Sequence, residues 1–270
     1  MIAIPQKPEY ISLGENHGKF EILGCYPGYG TTLGNALRRV LLSSLEGAAI
    51  RSVKITGVTH EFTTLPGVME DVVQILLHLK QIRFRLHGDE PVKIALKVKG
   101  ERVVTAKDFK VPSSVEIVDG DQMIATITDK KTELEMEIEI DRGVGYVSVE
   151  ARDREEREIG VIAVDSIYSP VKRVNYEVEN MRVGKRTDYD KITLEILTDG
   201  SITPEEAFTK SVAILIDQFT ALSDSRVDEE AEAGTVAEAG TEDETVSAVA
   251  EEEAPKEEKK SKKKTAEEVK

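Results

Sequence analysis

GYGTTLGNALRRVLLSS, residues 28–44, is the stretch of sequence that decides the fold. At about 100° per residue, its apolar side chains fall on one stripe and its polar side chains on the opposite side. This spacing predicts a helix over residues 31–44. The apolar stripe consists of Leu33, Ala36, Leu37, Val40 and Leu41, and the opposite side consists of Asn35, Arg38, Arg39 and Leu42.

Leu42 is the exception in this pattern. A large apolar side chain among arginines, on the side that is expected to face water, indicates a surface for another protein. A scattered surface leucine is about as common, so the pattern alone leaves both interpretations open.

Length and composition restrict the class of protein. The chain has 270 residues, 40% of them hydrophobic, which suits one large domain or two smaller ones. It has no apolar run of about 18 residues, and its start lacks the features of a secretory signal. We therefore expect a cytoplasmic protein with no membrane segment. Cys25 is the lone cysteine and the four histidines are dispersed, so we expect no metal and no cofactor.

The charge is unevenly distributed along the chain. Residues 227–270 hold 15 acidic and 7 basic side chains, a net charge of −8 out of −15. The remaining part is also acidic, which disfavours a grip on nucleic-acid backbone. Residues 228–255 contain no lysine or arginine, and KKSKKK follows at 259–264. We expect 227–270 to be a disordered, solvated tail, with binding to nucleic acid or an acidic partner as the alternative.

Strands are predicted mainly in the middle of the chain. Residues 92–98 and 133–140 alternate apolar and charged side chains, which is typical of half-buried antiparallel strands. Asp119-Gly120 is expected to form a hairpin turn between its flanking strands. Further strands are predicted at 19–25, 50–56, 115–118, 123–127, 146–150, 174–179 and 191–197.

Two more helices are predicted, at 67–80 and 204–222. The second has a capping box, with Thr203 as N-cap, Pro204 at the first helical position and Glu206 closing the box. Its apolar stripe is wide enough to pack both within the subdomain and against a second copy. The fold class is therefore α+β. The stripe consists of Phe208, Val212, Leu215, Phe219 and Leu222, broadened by Ile214 and Ile216.

Candidate catalytic motifs are weak. The spacing Gly28-x-Gly30-x-x-x-Gly34 resembles a dinucleotide-binding turn, but the meander-like β structure that follows does not fit that fold. Asp119 and Asp121 resemble a Mg²⁺-binding pair, although the hairpin turn already explains them. By its residues alone, the chain is a binding or assembly protein.

Four blocks resemble one known family, the alpha subunit of bacterial RNA polymerase, in its amino-terminal domain. They occur in the family's order and spacing, within a similarity that extends over residues 8–225. The blocks are GTTLGNALRRVLLSS at 30–44, GVMEDVVQILLHLK at 67–80, YSPVKRVNYEVE at 168–179 and RVGKRTDYDK at 182–191.

The resemblance implies a discontinuous architecture. A dimerisation subdomain of antiparallel strands and two long helices, residues 1–50 plus 172–226, is interrupted by a β-rich insert subdomain, residues 51–171. Residues 227–270 form the tail. In the implied homodimer each copy offers the same patch. The expected shared core consists of Leu37, Val40, Phe208, Leu215 and Phe219.

The resemblance also implies a scaffold role, with catalysis in other chains. Two copies would form the platform on which the beta and beta-prime subunits assemble. Lys80 and Val164 are assigned to beta-prime, although a plain lysine at a helix C-terminus also explains Lys80. The residues assigned to beta are Asn35, Arg38, Arg39 and Leu42 in the first helix, and Gly67, Val68, Met69, Glu70 and Asp71 after it.

One departure from the family concerns the end of the chain. Family members usually continue into a helical carboxy-terminal domain that touches DNA, whereas nothing after Ser225 has the required apolar periodicity. We therefore expect contact with DNA only indirectly, through the polymerase complex. Two alternatives stay open: a free-standing dimeric regulator that binds polymerase, and an enzyme that uses the glycine turn or the aspartate pair.

Overall fold

The computed structural model describes residues 2–152 and 160–237, with side chains as far as residue 223. The fold is α+β, as predicted, and mostly antiparallel. The helices are α1 (Tyr29–Ser43), α2 (Val72–Gln81) and α3 (Pro204–Ala237). The strands are β1 (Glu9–Gly14), β2 (His17–Cys25), β3 (Glu46–Ile55), β4 (Phe84–Leu86), β5 (Val92–Lys99), β6 (Arg102–Thr105), β7 (Phe109–Lys110), β8 (Val115–Ile117), β9 (Met123–Ile127), β10 (Glu133–Val144), β11 (Tyr146–Val147), β12 (Val161–Ala163), β13 (Ser166–Ile167), β14 (Val171–Val183) and β15 (Arg186–Thr198).

The first sheet has the order β1-β2-β15-β14 and joins the two ends of the folded region. In the centre of this sheet, Leu194 lies opposite Phe20 on one side and Tyr176 on the other. Alternate residues of β15 point to the same face, where α1 covers the sheet. The buried residues there form a first core, which consists of Phe20, Ile22, Cys25, Leu37, Leu41, Leu45, Val171, Val174, Ile192, Leu194, Ile196 and Ala207.

The second sheet has the order β7-β5-β10-β3-β4-β8, with β12 also paired to β3. The two strands predicted from alternation are confirmed as β5 and β10, and the structure places them side by side, with Ile138 opposite Ile94. Their charged residues share the other face, where Lys97 pairs with Glu133 and Glu135. A second core lies between this sheet, β9 and α2. It includes Val53, Ile75, Leu79, Leu96 and Ile138.

Two arginines, Arg85 in β4 and Arg83 just before that strand, reach the segment that follows β15. The Nε atom of Arg83 lies 3.5 Å from Oδ2 of Asp199, whose side chain is buried. The Nε atom of Arg85 donates a hydrogen bond of 2.9 Å to the carbonyl oxygen of Ser201. These contacts hold the start of α3 against the second sheet. Among the described residues, no helix is both long and apolar enough to span a membrane.

The predicted helices differ from the observed ones at their ends. α3 begins at Pro204 with the predicted capping box, in which Glu206 N donates to Thr203 Oγ1 at 3.2 Å. α2 begins at Val72 rather than at 67, because the preceding residues form a turn. α3 continues to Ala237, beyond the predicted end at 222 and into the tail predicted from 227. Residues 238–270 of that tail lie outside the described residues.

The predicted Asp119-Gly120 hairpin is wrong. A turn occurs at this position, but β8 pairs with β4 and β9 pairs with β6. The chain therefore passes from one sheet to another at this turn. Turn chemistry signals a reversal of direction without specifying which strands pair, and that choice depends on tertiary packing.

Most other strand errors concern length. β14 and β15 extend well beyond the predicted ranges of 174–179 and 191–197. The two strands stay hydrogen-bonded to each other in the exposed part of the hairpin, where no buried side chains give an alternating pattern. β11 covers only part of the predicted 146–150. Of the strands missed from the sequence, β4, β7, β12 and β13 have two or three residues, too few to show an alternating pattern, and β6 has four. β1 has six residues, but nearly all of them are exposed, so it lacks a buried face.

Candidate protein-interaction surfaces

The start of α1 is fixed by a buried carboxylate. Gly28 has a φ of 85°, in the left-handed region that favours glycine. The backbone N–H groups of Gly28 and Gly30 both donate to Oδ2 of Asp190, each at 2.9 Å. The anion position at this helix N-terminus is thus filled by the chain's own side chain. The geometry gives no support to a nucleotide phosphate at the glycine turn.

Two glycines inside α1 set its distance from the sheet. A Cβ atom at Gly34 would lie 2.6 Å from the ring of Tyr176, and one at Gly30 would lie 2.7 Å from Val178. Both positions therefore require glycine for the helix to lie directly on β14 and β15. Because Leu37 and Leu41 are buried beneath the helix, the opposite face is fixed toward the surface.

The exposed face of α1 carries the predicted polar residues. Asn35, Arg38 and Arg39 are exposed. Arg38 lies along β14, where its Nε donates to the carbonyl oxygen of Val174 at 3.3 Å. Among the residues that the structure describes, none forms a hydrogen bond or an ion pair with the Arg39 guanidinium. Arg39 is therefore available to a partner.

Leu42 is more buried than the helical pattern predicts. Its side chain is half-buried and packs against the first core. The segment between β13 and β14 crosses this end of α1, where the Ser169 hydroxyl donates to the Leu42 carbonyl oxygen at 3.2 Å. Periodicity within a helix cannot anticipate a covering segment from elsewhere in the chain. Leu42 thus forms the margin of the exposed face.

The loop before α2 is fastened to β9. Val68 forms a bridge with Ile127, and the Met69 N–H donates to the Thr126 carbonyl oxygen at 3.0 Å. Asp71 caps α2 by accepting from the Gln74 N–H at 2.8 Å.

Adjacent side chains of this loop point in opposite directions. The Met69 side chain is 76% exposed, whereas Glu70 is 8% exposed. The Glu70 Oε2 atom accepts the Thr126 N–H at 2.6 Å. Of the five loop residues assigned to beta, Met69 thus has the side chain most available to a partner, and the Glu70 side chain is turned inward.

Lys80 lies at the end of α2 and is tied to Asp165. Its Nζ atom lies 3.0 Å from Oδ2 of Asp165, and Oδ1 of Asp165 accepts the Val149 N–H at 3.0 Å. Both bonds lower the pKa of Asp165. The hydrogen bond from the Val149 N–H has the larger effect, and the bond from Lys80 has the next largest. Val164 is a neighbour of this pair, but it is 5% exposed and belongs to the second core. Its side chain is not part of the surface.

The residues expected in the shared dimer core differ in burial. Leu37 is buried within its own subunit and Val40 is half-buried. Phe208 stacks on Phe20 with ring centroids 4.2 Å apart, and Leu215 is half-buried. Phe219 is 64% exposed. α3 thus presents an apolar stripe that the described part of the chain leaves exposed, formed by Phe219 and Ile216.

The chain is similar to known polymerase subunits. Residues 53–169 match the family described as "RNA polymerase Rpb3/RpoA insert domain". The chain is 50% identical over 213 residues to the DNA-directed RNA polymerase subunit alpha of Moorella thermoacetica, covering 79% of this chain and 68% of that protein. It is 47% identical over 235 residues to that of Roseiflexus sp., covering 87% and 72%. The chain belongs to the DNA-directed RNA polymerase alpha subunit family.

The family assignment confirms the resemblance carried by the four blocks, and the geometry explains three of them together. In this alpha-family chain, residues 30–44 form most of α1, residues 168–179 supply Tyr176 beneath Gly34, and residues 182–191 supply Asp190 at the start of α1. The fourth block, 67–80, forms the loop and α2. The four blocks therefore form two surfaces, one on α1 and one at the loop before α2. The similarities do not favour the alternative of a free-standing regulator.

The aspartate pair has protein partners in this alpha-family chain. The Asp121 N–H donates to Asp119 Oδ1 at 3.2 Å, and Lys107 donates to the Asp121 carboxylate. Within residues 2–152 and 160–223, no three His, Cys, Asp or Glu side chains lie where they could hold a metal ion. The pair has the geometry of a turn stabilised by an ion pair.

The sequence alone did not reveal the roles of Asp190 and Glu70. Asp190 lies in the block RVGKRTDYDK, so the resemblance marked the position without giving its role. Glu70 was assigned as a contact by position. In both cases the acceptor role depends on backbone N–H groups that are distant in sequence.

Proposed function

We propose that this chain is the assembly subunit of an RNA polymerase. Two copies form a platform that recruits the beta and beta-prime subunits, and the chain has no active site and binds no cofactor of its own. The family assignment supports the polymerase role. The observation that carries the proposal is Arg39, an exposed cation with no bonding partner among the described residues, on a helix whose other face packs on the sheet.

The two cores support the proposed subdomains. We assign residues 1–50 plus 172–226 to the dimerisation subdomain and 51–171 to the insert. The first core lies within the former except for Val171, and the second core lies within the latter except for Ile50, since β3 crosses the boundary. The exposed stripe of α3 supports dimerisation, because Phe219 and Ile216 are large apolar side chains in need of a cover. We assign the partly buried Leu215, Phe208 and Val40 to the same dimer contact, and we assign Leu37 to the subunit's own core.

The beta-binding surface consists of two parts. On α1, Asn35, Arg38 and Arg39 supply polar groups, and Leu42 supplies an apolar margin. In the loop, Met69 supplies an apolar anchor. An arginine offers a planar fork of donors, and such residues dominate the free energy of association when they lie at the centre of an interface. We assign Lys80 to the contact with beta-prime. We expect the assembly to be cytoplasmic.

Replacing Arg39 tests this proposal. In the full chain co-expressed with beta, we expect Arg39→Ala to weaken beta recruitment by about 2 kcal/mol, roughly 30-fold in affinity. We expect the homodimer to stay intact, because Arg39 is on the exposed face of α1 while Leu37 and Leu41 face the core. Arg182→Ala is a matched control: Arg182 is also exposed, and among the described residues its guanidinium bonds only to the nearby Gly184 carbonyl oxygen. If beta co-purifies with Arg39→Ala at normal yield, the assignment of this face is wrong.

A further inference from the structure

The five residues from Gly67 to Asp71 form a loop with a fixed shape. At its start, Gly67 has a φ of 76° and its carbonyl oxygen accepts the Thr128 N–H at 2.9 Å. At its end, Asp71 caps α2. Both ends are therefore held by hydrogen bonds, Gly67 through its carbonyl oxygen and Asp71 through its side chain, and Met69 and Glu70 lie between these fixed points.

The middle of the loop is held by a pair of bonds to one residue of β9. The Met69 N–H donates to the Thr126 carbonyl oxygen, and the Thr126 N–H donates to the Glu70 carboxylate. Thr126 is itself well anchored, since its neighbours Ala125 and Ile127 are buried in the second core. A hydrogen bond to a carboxylate is about twice as strong as one between neutral groups. The carboxylate thus acts as a latch.

The hydrogen bond of the Glu70 carboxylate determines which side chain of the loop is exposed to a partner. With Glu70 turned inward, Met69 is left as the large apolar group at the loop's surface. Methionine is flexible and polarizable, which suits an anchor that fits an irregular pocket. A loop that is already ordered loses less conformational entropy when a partner binds, which improves affinity without adding a contact.

We propose that Glu70 is a positioning residue for beta recruitment, one that does not touch beta but holds Met69 in the geometry that beta recognises. This assignment rests on the proposed function and refines it. A transfer of roles by position treats all five loop residues as contacts. The structure divides them into an anchor, Met69, and its supports. Among the supports, the Glu70 carboxylate accepts a hydrogen bond from the Thr126 N–H of β9.

Two conservative variants separate a latch from a charged contact. Glu70→Gln keeps the length of the side chain and a carbonyl oxygen that accepts the Thr126 N–H, but it removes the charge. Glu70→Asp keeps the charge, but it is one methylene shorter and does not reach Thr126. A latch predicts that Gln preserves beta binding and Asp does not. A charged contact with beta predicts the reverse.

The experiment measures the affinity of the full-length homodimer for beta in four variants. We expect Glu70→Gln to stay within about threefold of the unmodified chain, and Glu70→Asp, Glu70→Ala and Met69→Ala to lose roughly tenfold or more. Amide hydrogen exchange supplies a second readout. In Glu70→Ala, the amide of Thr126 is expected to exchange faster while β10 stays protected, which shows that the insert remains folded.

The outcomes distinguish this inference from the proposed function. If Glu70→Gln loses as much affinity as Glu70→Ala, or if Met69→Ala binds beta normally, the latch is overturned while the effect of Arg39→Ala still stands. Equal protection of the Thr126 amide in all variants also overturns it. If the unmodified chain does not bind beta at all, the proposed function itself fails.

Discussion

The exposed face of α1 and the loop at residues 67–71 are both proposed to bind beta, but the two surfaces are specified differently. On α1, helical periodicity sets the direction of each side chain, so Arg39 faces outward whenever Leu37 and Leu41 face inward. In the loop, the directions of Met69 and Glu70 depend on Thr126, which is distant in sequence. On a helix, the position of a residue in the sequence is therefore enough to tell an outward contact from an inward support. In a loop it is not, because the direction of each side chain depends on tertiary contacts.

The largest expected effect comes from replacing a buried residue in the helix that supports each surface. Leu41 beneath α1 and Ile75 in α2 are both fully buried, one in each core. Replacing either with alanine leaves a cavity, and we expect each change to lower the free energy of unfolding by about 2–5 kcal/mol. Urea unfolding of each variant provides the measurement. A loss below about 1 kcal/mol for one of them would mean that its surface is not supported as we describe.

A smaller effect is expected at the start of α1. In Asp190→Ala, the N–H groups of Gly28 and Gly30, of which the second is buried, lose their acceptor, which we expect to lower stability by about 2 kcal/mol. Asp190→Asn keeps an oxygen and is expected to lose less. Thermal unfolding of both variants, compared with the unmodified chain, provides the measurement. Equal melting temperatures would show that the carboxylate does not fix α1.

The proposed homodimer would present each surface twice, so a change that disrupts it tests the dimer separately from the two beta-binding surfaces. We expect Phe219→Ser to weaken homodimerisation about tenfold, because it removes a large apolar side chain from the α3 stripe. Phe62→Ser is a matched control, since Phe62 is 81% exposed in the segment between β3 and α2. Sedimentation velocity across a dilution series reports both. Equal effects of the two changes would contradict the assignment of the stripe to dimerisation.

The smallest effect concerns pH. Because the pKa of Asp165 is lowered in the folded chain, its contribution to stability is present above the unfolded pKa of about 3.9 and is lost as pH falls. The Lys80 pair is partly exposed, so we expect less than about 1 kcal/mol. Urea midpoints at pH 7 and pH 3 measure the difference. In Asp165→Asn that difference is expected to shrink, and an unchanged difference would argue against the role of this carboxylate.

Local patterns predicted the parts of the fold that depend on neighbours in sequence. The two faces of α1, the capping box of α3 and the half-buried strands at 92–98 and 133–140 all followed from spacing and residue type, whereas the pairing of those two strands did not. These features need only a helix or strand period and one buried side, and both are present in the sequence itself.

Tertiary contacts decided the features that the sequence did not predict. β8 and β9 join different partners, Leu42 is covered at the end of α1, and Glu70 turns toward β9. In each case a segment distant in sequence supplies the strand partner, the cover or the donor. The resemblance supplied the family and the positions of the surfaces, but it did not supply the roles of Asp190 and Glu70.

Native mass spectrometry of the full chain, co-expressed with beta and beta-prime from the same source, tests the scaffold role most directly. It reads the copy number of each chain in the intact complex. We expect a complex that contains two copies of this chain with one beta and one beta-prime. A homodimer that forms in the same cells and never appears with either large subunit would contradict the scaffold role.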